Sequence, residues 1–219
     1  MSTYIKPKAI LFDWDNTLVD TWPVIYQSLH VVFEEMGRKP WTMDEVKKNV
    51  HKSLRDSFPE IFGEEWRRAG EIYLKHFESI HLDILKPLDG AEQMLKNLIN
   101  KDIYIAVVSN KTGHNLRKEV KHLNWDKYFS KVIGAKDAKA DKPSPDPVYL
   151  ALKNSNLYPE KHDIWFVGDT ITDLECAYNS KCRSVYFGLD DLLDEQYKNF
   201  QPNLRFKSHA ELEKVFVNF

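Results

Sequence analysis

Five short apolar runs with no polar alternation constrain this 219-residue chain more than any other feature. They cover residues 9–12, 103–108, 131–134, 164–167 and 184–187. A strand with one wet face alternates apolar and polar residues, whereas an unbroken run predicts a strand buried on both faces, as in a parallel sheet. Between the runs, residues 91–99, 115–123, 145–154 and 173–180 carry helical spacing. A last helix is expected over 209–217, with Ser208 as its N-cap. Strands alternating with helices predict an α/β fold with a doubly wound, Rossmann-like parallel sheet.

One segment interrupts that alternation. Residues 21–85 contain helical patterns and no convincing strand. Val24, Leu29, Val32, Phe33 and Met36 form one apolar face, ended by Gly37. Met43, Val46, Val50 and Leu54 form a second, and Trp66, Ile72, Tyr73 and Phe77 a third. Lys86-Pro87-Leu88-Asp89-Gly90 reads as the turn back into the sheet. The expected organisation is a core from residues 1–20 and 86–219, with residues 21–85 inserted as a helical cap.

Open α/β sheets bind ligands beyond the carboxyl ends of their strands. Two acid pairs occupy such places. Asp13-Trp14-Asp15-Asn16-Thr17-Leu18 follows the first run, and Gly168-Asp169-Thr170-Ile171-Thr172-Asp173 follows the fourth. Either could be a turn alone, and Asp173 also suits a helix cap. Together, four crowded carboxylates call for a cation, and oxygen ligands with a phosphate nearby favour Mg²⁺. Ser109-Asn110-Lys111 closes the second run and offers a hydroxyl and turn amides to an anion. Lys142 sits in a proline-stiffened loop, Asp141-Lys142-Pro143-Ser144-Pro145-Asp146-Pro147, suited to hold one ammonium inward; Lys139 competes for that role.

In this order, the four motifs resemble those of the haloacid dehalogenase-like hydrolase superfamily, over essentially the whole chain. The branch it is most similar to is the phosphoglycolate phosphatase-like one, with a small helical cap after the first motif. The resemblance implies a phosphatase with Asp13 as nucleophile. Asp15 would protonate the leaving oxygen and then activate water. Mg²⁺ would be held by Asp13, the backbone carbonyl of Asp15 and Asp169, with Asp173 supporting it. Ser109, Asn110 and Lys142 would hold the phosphoryl oxygens. The second acid, Asp15, favours a phosphatase or mutase, because the resemblance implies that dehalogenases lack it. Three positions depart from the pattern: Asn16 and His51 stand where glycine is usual, and Ser180-Lys181 where a small residue precedes glycine.

The cap loop with His51, Lys52 and Arg55 is the expected substrate reader, its cations suited to a second anion. Trp22 and Trp41 are candidates to line the cleft. The expected substrate is a small phosphorylated metabolite. A β-phosphoglucomutase-like transferase would use the same acids, and a non-catalytic binding protein on this fold is the rival from another class. A formal charge of -2 and a pI near 6.5 argue against a nucleic-acid partner. No stretch approaches the ~20 apolar residues of a membrane span. Cys176 and Cys182 are too few for a disulfide scaffold and are expected as reduced thiols. With no apolar signal-peptide core at the start of the chain, a cytoplasmic monomer or homodimer is expected.

Overall fold

The computed structural model of the protein describes residues 5–50, 52–189 and 197–216. Strands β1 (Ala9–Phe12) and β2 (Val19–Asp20) precede four helices, α1 (Trp22–Glu35), α2 (Met43–Asn49), α3 (Leu54–Phe62) and α4 (Trp66–Ile84). The chain returns through β3 (Lys86–Pro87), α5 (Ala91–Ile99), β4 (Tyr104–Thr112), α6 (Gly113–His122) and β5 (Lys131–Ala135). It ends with α7 (Asp146–Leu152), β6 (Ile164–Gly168), α8 (Ile171–Asn179), β7 (Arg183–Phe187), β8 (Leu204–Phe206) and α9 (His209–Phe216).

Six strands form one parallel sheet in the order β5-β4-β1-β6-β7-β8. The five apolar runs are five of these strands; β8 had no such signature. All four residues of β1 are fully buried, and their alternation divides them between two cores. Ile10 and Phe12 face one layer with Leu95 of α5, Leu116 of α6 and Leu212 of α9. Ala9 and Leu11 face the other, with Val148 and Ala151 of α7 and Cys176 and Ala177 of α8. Truncating Leu11 to Ala would cost about 2–5 kcal/mol, the usual range for a buried leucine.

The register of β1 dictates what gathers at its carboxyl end. Phe12 lies opposite Val107 of β4 on one side and Val167 of β6 on the other. One step further along β1 is Asp13; just beyond its partners are Ser109 and Asp169.

The helical segment leaves the core through β2 and returns through β3, paired antiparallel with Val19 opposite Pro87. The stretch expected only as a turn at 86–90 therefore begins as a strand. Ile25, Leu29, Phe33, Phe58 and Phe62 build a separate apolar cluster within this segment. The second predicted face does not lie on one helix. A capping box between Thr42 and Glu45 starts α2, but Val50 and Ser53 take extended backbone and α3 begins afresh at Leu54.

Asn16 adopts φ +57° and Lys181 φ +62°, so each takes the left-handed conformation that glycine would supply. Both cysteines are buried and free. No helix among the described residues is long and apolar enough to cross a membrane.

Candidate active site

The first acid motif is shaped by opposite demands on successive residues. The Asp13 amide still donates to the Val167 carbonyl at 2.8 Å, so β6 holds this backbone rigidly. Trp14 turns into the core, where its ring meets Trp125 and Phe129 edge-on at 5.8 and 6.3 Å. The turn then closes through Asn16, whose side-chain oxygen accepts from the Thr21 amide at 3.2 Å. Thr17 donates its hydroxyl to Asp169 Oδ1 at 3.0 Å, tying the two acid motifs together.

Carboxylate oxygens of Asp13, Asp169 and Asp173 come within 4.8 Å of one another. The approach depends on Gly168, where any Cβ would run into the Asp173 side chain. Lys142 enters from the opposite loop, 3% exposed, and its Nζ donates to Asp13 Oδ1 and Asp173 Oδ1, both at 2.7 Å. Asp173 also accepts from the Thr170 amide and hydroxyl at 3.0 and 2.7 Å, so it caps α8 and faces the site at once. Asn110 clamps the Lys142 backbone: its amide donates to the Lys142 carbonyl and its oxygen accepts from the Lys142 amide, each at 3.0 Å. Its side chain thus positions the lysine loop. Ser109 is buried on the cavity wall, its hydroxyl oxygen accepting from the Lys111 amide at 3.1 Å. Lys139, the competitor of Lys142, is exposed.

These acids are short of positive charge. Burial above all, then the neighbouring Asp173 and Asp15, push Asp13 up to about 7 even though Lys142 pulls the other way. Burial, with Asp173 and Asp13 beside it, drives Asp169 well above the usual carboxylate range. Burial opposes the charge on Lys142, yet Asp13 and Asp173 outweigh it and keep the ammonium protonated. A largely buried, all-oxygen cluster with one ammonium among three carboxylates fits a hard divalent cation such as Mg²⁺.

Asp15 is not part of this cluster by its side chain. Its carboxylate pairs with Lys111 Nζ at 2.5 Å. Lys111 Nζ also donates to Glu119 Oε2 at 2.6 Å, and that oxygen accepts from Trp14 Nε1 at 2.6 Å as well. Glu119 Oε1 lies 2.8 Å from His81 Nδ1 of α4. Glu119 is fully buried on α6; burial raises its carboxyl, but Lys111, His81 and Trp14 more than offset that and hold it below its usual value. Sequence reasoning missed this network. The available signal was a charged residue on the inward stripe of α6, between Leu116 and Val120.

The cavity over the acids has a volume of 120 Å³. Lys52 lines it, but its Nζ is bonded to Glu60 at 2.6 Å. Arg55 does not line it: its Nε pairs at 2.5 Å with Asp141, whose almost fully buried carboxylate requires a cation. In this structure Arg55 thus stands beside Asp141 and not on the wall of this cavity. His51 lies outside the described residues. Trp22 lines the cavity, whereas Trp41 packs on Phe33 at 4.8 Å inside the helical cluster. Asn115, also missed, is 1% exposed, lines the cavity and has no partner for its side-chain oxygen.

Residues 10–187 match the family model described as haloacid dehalogenase-like hydrolase. A pyrophosphatase PpaX from Listeria monocytogenes is 28% identical over 212 residues, covering 94% of this chain and 95% of its own. A phosphoglycolate phosphatase from Aquifex aeolicus is 32% identical over 171 residues, covering 78% of this chain and 79% of its own. Among solved structures, a predicted phosphatase from Clostridium acetobutylicum superposes with a TM-score of 0.85 at 23% identity, over 97% of this chain and 99% of its own.

Proposed function

The chain belongs to the haloacid dehalogenase-like hydrolase family, as a phosphatase, and on that premise we propose that it hydrolyses a small phosphomonoester with Mg²⁺ through a phosphoryl group carried by Asp13. The observation that carries this reading is the convergence of Asp13, Asp169 and Asp173 around Lys142, with Asp15 on the adjoining wall.

Asp13 and Asp169, with the Asp15 backbone carbonyl, would hold the ion, and Asp173 would support it. Bound there, the ion neutralises charge on carboxylate and phosphate as they approach. A carboxylate oxygen of Asp13 forms a bond to phosphorus while the bond to the alcohol oxygen breaks. Asp15 gives its proton to that departing oxygen. Water then attacks phosphorus, Asp15 takes its proton, and the phosphorus–Asp13 bond breaks to release inorganic phosphate. Two displacements replace one harder step, and positioning with charge neutralisation does most of the catalysis. Lys142 and Ser109 bind phosphoryl oxygens, and Asn110 holds Lys142 in place. The segment 21–85 acts as a cap that excludes water during transfer.

The test is phosphate release from p-nitrophenyl phosphate with Mg²⁺. Asp13→Asn is expected to lose at least about a thousandfold in kcat/KM while keeping the parental circular dichroism. A folded variant with parental kcat/KM would overturn the proposal.

A further inference from the structure

The cavity has two unlike ends. One is the acid and lysine cluster. The other is a wall from the helical segment, built by Trp22 and Ile25 of α1, Leu54 and Phe58 of α3, and Tyr73 and Phe77 of α4. Among the described residues, the cations facing the cavity are already paired. Lys111 lies between Asp15 and Glu119, Lys142 between Asp13 and Asp173, and Lys52 on Glu60. A second anion on the substrate would find the two buried ammoniums committed to carboxylates and only Lys52, in a solvent-exposed pair with Glu60, able to turn toward it, and it would lose hydration against aromatic and aliphatic carbon. Among the described residues, two cavity-lining side-chain oxygens are buried without a hydrogen-bond partner; Asp15 Oδ1 has the Lys111 ammonium beside it, and the other is the neutral amide oxygen of Asn115.

Resting on the phosphatase reading above, we propose that this wall is the subsite for the alcohol part of the substrate, and that it selects phosphomonoesters whose alcohol is uncharged and mainly apolar. The whole cavity, acid end included, measures 120 Å³. An apolar cavity of roughly 150 Å³ takes one benzene, so a single ring or short branched chain is the scale of group the wall can cover. Water-free contact with Phe58, Phe77 and Leu54 supplies the affinity; a hydroxyl on the ligand can meet Asn115.

Phosphonates test this without any leaving group, as competitive inhibitors of Mg²⁺-dependent p-nitrophenyl phosphate turnover by the full chain. From methyl- to butylphosphonate the inhibition constant is expected to fall roughly fourfold per methylene. Isobutylphosphonate is expected to bind at least about tenfold more tightly than phosphonoacetate, its carboxylate-bearing counterpart in shape. Leu54→Ala is expected to flatten the alkyl series, a change that partial unfolding does not mimic because it alters the active fraction and not the ratio of inhibition constants. Phosphonoacetate binding as tightly as isobutylphosphonate, or a flat series in the parent, overturns the inference. If the chain turns over no phosphomonoester, the phosphatase reading fails separately, and the same ranking measured by calorimetry still decides the subsite.

Discussion

Replacing Glu119 by leucine removes an acceptor without opening a large cavity. Three donors depend on that carboxylate: Trp14 Nε1 and Lys111 Nζ at 2.6 Å, and His81 Nδ1 at 2.8 Å. The carboxylate is fully buried and the Lys111 side chain is 5% exposed, so little water replaces the lost bonds. Breaking one side of a buried ion pair costs about 3–5 kcal/mol. For a chain of this length that corresponds to a drop in Tm of roughly 6–20 °C. Glu119→Gln restores a neutral acceptor, and its loss should shrink to about 1–2 kcal/mol. In a double-mutant cycle with Lys111→Met, the coupling should reach about 1–3 kcal/mol, because the ammonium in the leucine variant has already lost this partner. Urea titrations followed by circular dichroism give the free energies of the parent, both Glu119 variants, Lys111→Met and the Glu119→Leu/Lys111→Met double variant, and thermal melts give the Tm drop. A Glu119→Leu variant within about 1 kcal/mol of the parent would show that the network holds the cap helix α4 to α6 no better than apolar packing does.

Other outcomes follow from single contacts. Gly168→Ala places a Cβ against Asp173, so kcat/KM should fall by about tenfold or more and stability by about 1–3 kcal/mol; unchanged kinetics would mean that the Asp173 position is immaterial. His209 is buried, with Nδ1 3.0 Å from the Asp89 carbonyl and Nε2 2.8 Å from that of Thr17; burial lowers its pKa more than the two carbonyls raise it. The unfolded chain therefore takes the proton first as pH falls, so this contribution is complete above about pH 6.5 and lost below it. The parent's Tm should fall more steeply than that of His209→Gln between about pH 7.5 and about pH 5, and parallel curves would refute this. Mg²⁺ at about a hundred times its Kd should stabilise the parent by about 2.7 kcal/mol; an equal shift in Asp169→Asn would move the ion elsewhere.

The central sheet was legible because β1, β4 and β6 are buried on both faces, which forces unbroken apolar runs such as Ala9-Ile10-Leu11-Phe12. The acids were legible for a related reason: parallel register carries the residues after each run to one edge. Strand β8 was not, because its three residues are partly exposed, exposed and buried and form no apolar run. Helix α3 was hidden because Val50 and Leu54 keep helical spacing across a break in the backbone. The pairings of Trp14 with Glu119, 105 residues apart, and of Arg55 with Asp141 are tertiary, and no local pattern encodes them. For that reason Arg55 read as a free cation in the sequence and stands paired in the fold.

The whole proposed reaction rests on Asp13 carrying the phosphoryl group. Brief mixing with radiolabelled p-nitrophenyl phosphate and Mg²⁺, followed by acid quench and peptide mapping, reads this directly. The expected result is hydroxylamine-sensitive label on the peptide containing Asp13, absent in Asp13→Asn and more abundant when Asp15→Asn slows its hydrolysis. Full turnover with no label on that peptide, or label on another residue, would contradict it.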